Sequence, residues 1–400
     1  MPKLLQINCC LNLSTGKIAQ QIGELALSKG WESWVTNPGR ERPAPSKSQV
    51  IKVGTYLDAC IHYAGQKLFD NEGLSSAKYT RGLVKKIEEI KPDIIQLHNI
   101  HDHWLNYPIL FDYLASIDTP VVWVQHDCWA FTGGCMYFDM LKCDRWKDGC
   151  KGCPDKRTIL RNQAERNFNL KKEHLDKIKN LTFVPVSDWL ASLLRESAQG
   201  HRPIVTMHNG TDLNVFKPLI ENHNEQSNDR KFRILGVAAV WDARKGLDDF
   251  VKLRDMLSAD YEITLVGLTK KQIKALPNGI NGILRTSNVQ ELAKLYAESD
   301  VFVNPTYSDN FPTTNIEALA CGTPVITYRT GGSPEAVDGK TGIVIEQGNV
   351  SELANAIMLL RQTPFSSADC RQRAEEHFDK DKCFEKYIEL YNKVLKNDKL

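Results

Sequence analysis

Four hundred residues exceed what one ordinary hydrophobic core fills and suit two domains of about 150–200 residues each. Hydrophobic content of 42% and charged content of 25% exclude a disordered chain, and no apolar run nears the roughly 18–20 residues that span a bilayer. A net charge of +2 gives no basis for nucleic acid as a partner. Met1 leads directly into the strand-like run KLLQINCC, without the apolar core and cleavage site of a signal peptide. A cytoplasmic protein with reduced thiols is therefore expected.

Short apolar runs alternate with amphipathic stretches, the pattern of a parallel α/β sheet. In the first half, strands are predicted at 4–9, 33–36, 94–98, 121–125 and 182–186. Ile18, Ile22, Leu25 and Ala26 recur at helical spacing, which predicts a crossover helix over 15–29, stopped by Gly30. The polar run at 221–231 reads as a linker or exposed loop. Beyond it, strands are predicted at 232–240, 262–266, 301–304 and 324–327, and a closing helix at 379–395. Two such series imply two Rossmann-like, doubly wound domains facing across a cleft, with ligands at the carboxyl ends of the strands. The expected division is 1–205, with a cysteine-rich loop at 128–154 and a completing helix from 379–400, against 206–378.

The most informative stretch is YSDNFPTTNIEALACGTPV at 307–325. Asp309 lies on the loop after a strand, and Glu317 follows eight positions later in a short helix. Thr313, Thr314 and Asn315 stand at the helix start, where free N–H groups and the dipole favour a phosphate. Glu317 is placed to accept hydrogen bonds from ribose hydroxyls. This stretch resembles the acidic-x7-Glu signature and the following Ala-x-Gly-x-Pro-Val run of retaining glycosyltransferase family 4, whose fold is GT-B. The resemblance implies that Asp309, Asn310 and Phe311 contact the donor sugar and Glu317 the ribose. Asp309 and Pro312 stand where the family more often has Glu and Gly.

Arg244 and Lys245-Gly246 follow the first strand of the second half and open a helix whose apolar face is Leu247, Phe250, Val251 and Leu253. The pair resembles the family's Arg…Lys-Gly element, which neutralises the departing diphosphate. Val240 occupies the place of the usual Arg, so Arg244 is read as the substitute. Two fixed cations at the β-phosphate stabilise the transition state more than the ground state. The loop NLSTGK at 12–17, with Gly16, resembles the family's first glycine-bearing loop, which approaches the donor phosphates. His126, ending a strand, resembles the family's histidine that contacts the transferred sugar. His98, His101 and His103 are divided between acceptor-side lining and plain surface. His208 to Asp212 resembles the family's turn between domains.

Cys128, Cys135, Cys143, Cys150 and Cys153 crowd into one segment. The last four have a spacing able to wrap a tetrahedral zinc, with an iron–sulfur cluster or free or disulfide-bonded cysteines as alternatives. Any such metal would be structural, since four thiolates leave no open position. From Lys142 to Lys179 there are 12 Lys/Arg against 6 Asp/Glu, read either as a basic face for an anionic membrane or as an ordinary solvated helix.

The resulting expectation is a hexosyltransferase-type retaining enzyme of polysaccharide or glycoconjugate assembly. Its donor is a UDP- or GDP-sugar and its acceptor a glycan or lipid-linked hydroxyl. It needs no catalytic divalent metal, and it is cytoplasmic or peripheral on the inner membrane face. The alternative is a non-catalytic nucleotide-sugar-binding or assembly protein with a zinc loop.

Overall fold

The structure is a computed structural model, and its described residues are 1–40, 45–155, 158–219, 230–396 and 398. Most of the expected linker, 221–229, lies outside them. The chain divides into two compact units, Met1–Met207 with Phe384–Leu400, and His208–Cys383.

In the first unit the elements follow as β1 (Lys3–Ile7), α1 (Ser14–Ser28), β2 (Glu32–Pro38), β3 (Gln49–Val53), α2 (Tyr56–Phe69), α3 (Ala77–Ile90), β4 (Ile94–Leu97), α4 (Tyr107–Ala115), β5 (Val121–Gln125), α5 (Ala164–Asp176), β6 (Leu181–Pro185) and α6 (Asp188–Glu196). The six strands form one parallel sheet in the order β3-β2-β1-β4-β5-β6. Largely apolar strands such as IIQL in β4 are buried throughout, as strands covered by helices on both faces must be.

The second unit runs β7 (Phe232–Val237), α7 (Leu247–Met256), β8 (Tyr261–Val266), α8 (Lys270–Ala275), β9 (Ile280–Ile283), α9 (Val289–Ala297), β10 (Val301–Asn304), α10 (Thr313–Ala320), β11 (Val325–Tyr328), β12 (Gly342–Ile345), α11 (Val350–Gln362) and α12 (Ser367–His377). Its sheet order is β12-β11-β10-β7-β8-β9. Counted from its own first strand, this is the same winding as in the first unit. In both sheets the order reverses beside the first strand, between β1 and β4 and between β7 and β10, where ligands of such sheets bind.

The fold class matches the expectation of two doubly wound parallel sheets, with local corrections. β1 ends at Ile7, because the Asn8 N–H turns aside to the Thr36 hydroxyl at 2.8 Å. β7 ends at Val237, and the following residues leave the sheet. Three strands were not anticipated: β3, β9 and β12. Each is short and none is buried throughout, so none shows the continuous apolar run of a central strand.

The last helix, α13 (Lys380–Leu395), supplies Phe384 onward to the first unit. There Tyr391 is fully buried, donates its hydroxyl proton to the Gln96 side chain on β4, and packs 5.6 Å from Trp31. Among the described residues no helix is long and apolar enough to cross a membrane. Tyr391→Ala should remove about 3–5 kcal/mol from the first unit, by analogy with other aromatic truncations in cores. The first denaturation transition, followed by tryptophan fluorescence, checks this; an unmoved midpoint would mean that α13 is not an integral layer of the first unit.

Candidate active site

In the second unit the basic pair precedes the helix. Ala243–Lys245 make one 3₁₀ turn, Gly246 caps α7, and the helix itself starts at Leu247. Gly246 has φ +69°, and a Cβ there would lie 2.3 Å from the Pro305 carbonyl oxygen. Only glycine allows this approach, and it sets the turn against the loop that follows β10. The Tyr307 N–H donates to the Arg244 carbonyl at 2.6 Å, and the Thr306 hydroxyl donates to the same oxygen at 3.1 Å. Lys245 Nζ then lies 2.5 Å from Asp309 Oδ2, both side chains about four-fifths covered. Arg244 pairs with Asp242, two residues back, at 3.1 Å. Both cations thus have acidic partners.

α10 begins at Thr313 after Pro312, so Thr313 and Thr314 stand at the expected helix start. Asn315 has a different task. Its side chain accepts from Asn304 at 2.8 Å and donates to the Ser333 carbonyl at 3.3 Å, locking α10 onto β10. The Phe311 ring is buried against His208 at 4.9 Å and Phe378 at 5.9 Å, packing beneath the loop. Asn310 is also buried. Glu317 is half-buried and accepts from the Tyr296 hydroxyl at 3.2 Å.

In the first unit Gly16 lies inside the first turn of α1, not on the preceding loop. A Cβ on it would come within 2.5 Å of the Leu11 backbone, so its smallness folds the loop back onto the helix. At the carboxyl edge of β4 and β5, the His98 and His126 rings stack at 5.4 Å with 11° between planes. The network fixes their protons. Gln6 Nε2 donates to the Ala19 carbonyl at 2.8 Å, which turns Gln6 Oε1 toward His98 Nε2 at 3.1 Å. His98 Nε2 is therefore the donor, and its Nδ1 accepts from His126 Nε2 at 3.0 Å. That leaves the lone pair of His126 on Nδ1. Burial lowers the pKa of His126 to about 4, and burial with the neighbouring ring holds His98 well below its ordinary value. Beside them His101 and Asp127 form a buried ion pair at 2.8 Å. Burial opposes both charges, but mutual attraction outweighs it, raising His101 and lowering Asp127. His103 stands apart, bonded to Gln66 and Asp102.

The cysteine loop departs from expectation. Among the described residues, no three sulfurs of Cys135, Cys143, Cys150 and Cys153 lie within 4.8 Å of one another. As arranged, they do not make a tetrahedral thiolate set. Cys150 Sγ instead accepts from the Gly133 N–H at 3.1 Å, and burial raises its pKa. What orders the loop is aromatic: buried Trp146 packs 5.3 Å from Phe131 and 5.4 Å from Phe138. The basic stretch is no uniform face either. Lys171 is buried, donating to the Trp129 and Thr132 carbonyls, while Lys147, Lys172 and Lys177 pair with Glu196, Asp176 and Glu173.

Residues 231–362 match the model of the family described as Glycosyl transferases group 1. Over 360 residues the chain is 24% identical to WcaC of Escherichia coli (strain K12), a glycosyl transferase assigned to colanic acid biosynthesis, covering 86% of this chain and 87% of that one. It is 24% identical over 233 residues to an N,N'-diacetylbacillosaminyl-diphospho-undecaprenol alpha-1,3-N-acetylgalactosaminyltransferase of Campylobacter jejuni, covering 54% and 61%. In fold it resembles Anabaena Alr3699/HepE, solved with UDP-glucose, at a TM-score of 0.67 and 14% identity over 98% of this chain and 100% of that one. The chain is a glycosyltransferase with a GT-B-like fold, and its match to the group 1 family lies in residues 231–362. It is an enzyme that uses a nucleotide sugar.

In this glycosyltransferase two features of the candidate site escaped the sequence reading. One is Asp249, a buried carboxylate on α7 that accepts the Tyr307 hydroxyl at 2.6 Å and the Tyr328 hydroxyl at 2.9 Å. It ties the Asp309 loop and β11 to the helix behind Lys245. Its partners are 58 and 79 positions away, so no local motif announces it. The other is the relay from Gln6 through His98 to His126. Both rings should show the Nε2–H tautomer in long-range proton–nitrogen spectra, with no titration of His126 between about pH 5.5 and 8, against an ordinary value of about 6.5. Because the unfolded chain takes up protons near pH 6.5, whereas folded His126 refuses its proton until about 4 and His98 is likewise held well below its ordinary value, these rings should make stability fall as pH drops below about 6.5. His101 acts in another window, its stabilisation complete below about 6.5 and lost above its raised value. A His126 resonance titrating near 6.5 would refute the relay.

Proposed function

We propose that the enzyme is a retaining hexosyltransferase of polysaccharide or glycoconjugate assembly, which transfers a sugar from UDP or GDP to a hydroxyl of a glycan or lipid-linked acceptor. The observation that carries this reading is the Lys245–Asp309 pair held at the switch point of the second sheet. Lys245 meets the charge that grows on the β-phosphate as the anomeric carbon–oxygen bond breaks, and Arg244 adds positive potential from the same turn. Asp309 holds Lys245 in place and faces the sugar. Glu317 takes the ribose hydroxyls. The acceptor oxygen bonds to the anomeric carbon on the face the phosphate leaves, and its proton passes to the departing phosphate oxygen. The first unit receives the acceptor side, where neutral His126 stands at the carboxyl edge of β5 among groups able to hydrogen-bond sugar hydroxyls.

Two relatives support the acceptor class by their names: one is assigned to colanic acid biosynthesis, and the other acts on a diphospho-undecaprenol-linked sugar. UDP as the nucleotude carrier is favoured by the UDP-glucose complex of the structural relative. The non-catalytic alternative gains no support from its zinc loop, since among the described residues no three of the four sulfurs lie within 4.8 Å of one another.

Incubation with a panel of UDP- and GDP-sugars tests the reading directly: slow donor hydrolysis is expected, and binding without any turnover overturns it. Lys245→Ala should lower turnover at least about a hundredfold, like removal of one oxyanion donor. A raised Michaelis constant with normal turnover would limit Lys245 to ground-state binding. Glu317→Gln should weaken donor binding by about 1.5–3 kcal/mol, the worth of a hydrogen bond to a charged group; unchanged affinity in calorimetry removes Glu317 from the ribose.

A further inference from the structure

Helix α2 is built inside out. Its polar side chains Asp58, His62 and Gln66 recur every four residues, so they share one face, and that face is turned inward. The Ser76 hydroxyl donates to Asp58 at 2.7 Å and lies 3.0 Å from His62 Nδ1. The Gly73 N–H donates to His62 Nε2 at 2.9 Å, and Gln66 bonds His103. Asp58–Ser76–His62 is not a nucleophilic triad. The serine proton goes to the carboxylate, and the imidazole is occupied on both nitrogens. It is the means by which a polar helix face is satisfied in the interior.

The opposite face is apolar and open. Leu57 is 69% exposed and Ile61 62%, with Tyr56, Cys60, Tyr63 and Ala64 exposed around them. A second segment extends this surface. The Ile159 N–H donates to the Lys67 carbonyl in the last turn of α2 at 2.8 Å, and Ile159 and Leu160 are 73% and 62% exposed. Scattered exposed apolar residues need no explanation, but a contiguous patch on an inverted helix does.

We propose that this face, α2 with Ile159 and Leu160, seats the enzyme on an anionic lipid surface. The charges around it select that occupant. Lys52 is exposed just before the helix, Lys67 lies in its last turn with Nζ 5.6 Å from the Tyr63 ring, and exposed Arg161 follows Leu160. The one acid of α2, Asp58, is held by Ser76. A second copy would bring the same cations and no matching acids from this helix, whereas an anionic headgroup layer complements them while the aliphatic and aromatic side chains enter the acyl boundary. This face shares only Ile159, Leu160 and Arg161 with the basic stretch 142–179, in which Lys147, Lys172 and Lys177 are paired and Lys171 is buried. The inference rests on the reading that the acceptor is lipid-linked, and its test is scored apart from turnover.

The full-length protein is mixed with phosphatidylcholine vesicles, with and without about a third phosphatidylglycerol, and floated on a density gradient. Flotation with the anionic vesicles is expected, weakened by salt. Leu57→Asp with Ile61→Asp should reduce it at least about tenfold, since a charge replaces each inserted side chain. Ile159→Asp with Leu160→Asp should act in the same direction. These side chains are exposed, so the variants should keep wild-type circular dichroism and wild-type donor hydrolysis. Absence of flotation at low salt, or flotation equal in the variants, overturns the proposal. So does a wild-type dimer that Leu57→Asp with Ile61→Asp makes monomeric, since a second copy then covers the face. Flotation without hydrolysis of any nucleotide sugar would leave the surface standing and overturn the proposed reaction instead.

Discussion

The approach of Gly246 to the Pro305 carbonyl is the constraint on which the proposed donor site depends. A side chain at that position would separate the turn 243–246 from the loop after β10, and with it Lys245 from Asp309. Everything else in the site is arranged around that contact. The Arg244 carbonyl receives two hydrogen bonds from the loop, and Asp249 receives the Tyr307 hydroxyl from the other side. The cations themselves sit ahead of α7, where the helix dipole disfavours them by about 0.3–1 kcal/mol each. Asp242 and Asp309 offset that cost in the absence of a ligand. In the proposed reaction, a diphosphate arriving there would meet positive charge already fixed in position, leaving little reorganisation for the chemical step.

The two sheets share one winding but carry different chemistry at corresponding edges. In the second unit the switch point between β7 and β10 presents a lysine, an arginine and the start of α10, all suited to a charged group. In the first unit the switch point between β1 and β4 presents Asn8 and His98, with His126 beside them, and the two histidines are kept neutral by burial. Neutral donors and acceptors suit hydroxyls, because a fixed charge would gain little from a sugar and would cost desolvation. On the proposed reading, the same topology separates the handling of charge from the handling of hydroxyls by what stands at the strand ends.

The sequence made the central strands and the placement of Asp309, the start of α10 and Glu317 legible because both are local signals: largely apolar runs, and an acid, helix start and second acid at fixed spacing. The edge strands β3, β9 and β12 escaped because they lack the continuous burial that produces such runs. Asn315 read as a phosphate-side residue from its place at a helix start, yet its amide is consumed by Asn304 and Ser333, contacts set by tertiary packing. The cysteines read as a metal site from spacing alone. Spacing bounds how near sulfurs can come, but the aromatic cluster of Trp146, Phe131 and Phe138 decides where the loop goes. Asp249 and the Gln6–His98–His126 relay join residues far apart in the chain, and only the fold brings them together.

Helix α2 shows the same limit from the opposite direction. Its periodicity marks it as amphipathic, but periodicity cannot say which face turns inward. A chain selected only for stability would bury Leu57 and Ile61, since full burial of an aliphatic side chain is worth about 1.5–3 kcal/mol. This unit instead buries His62, turns a half-buried Asp58 inward, and uses a serine hydroxyl and a backbone N–H to satisfy them. His62 accepts a pKa lowered to about 4, burial being the main cause. Departures from local consistency of this kind are expected where a surface serves something other than the fold. The inversion is also self-consistent, because each inward polar group has its partner, and it leaves the apolar face available without an unsatisfied group beneath it.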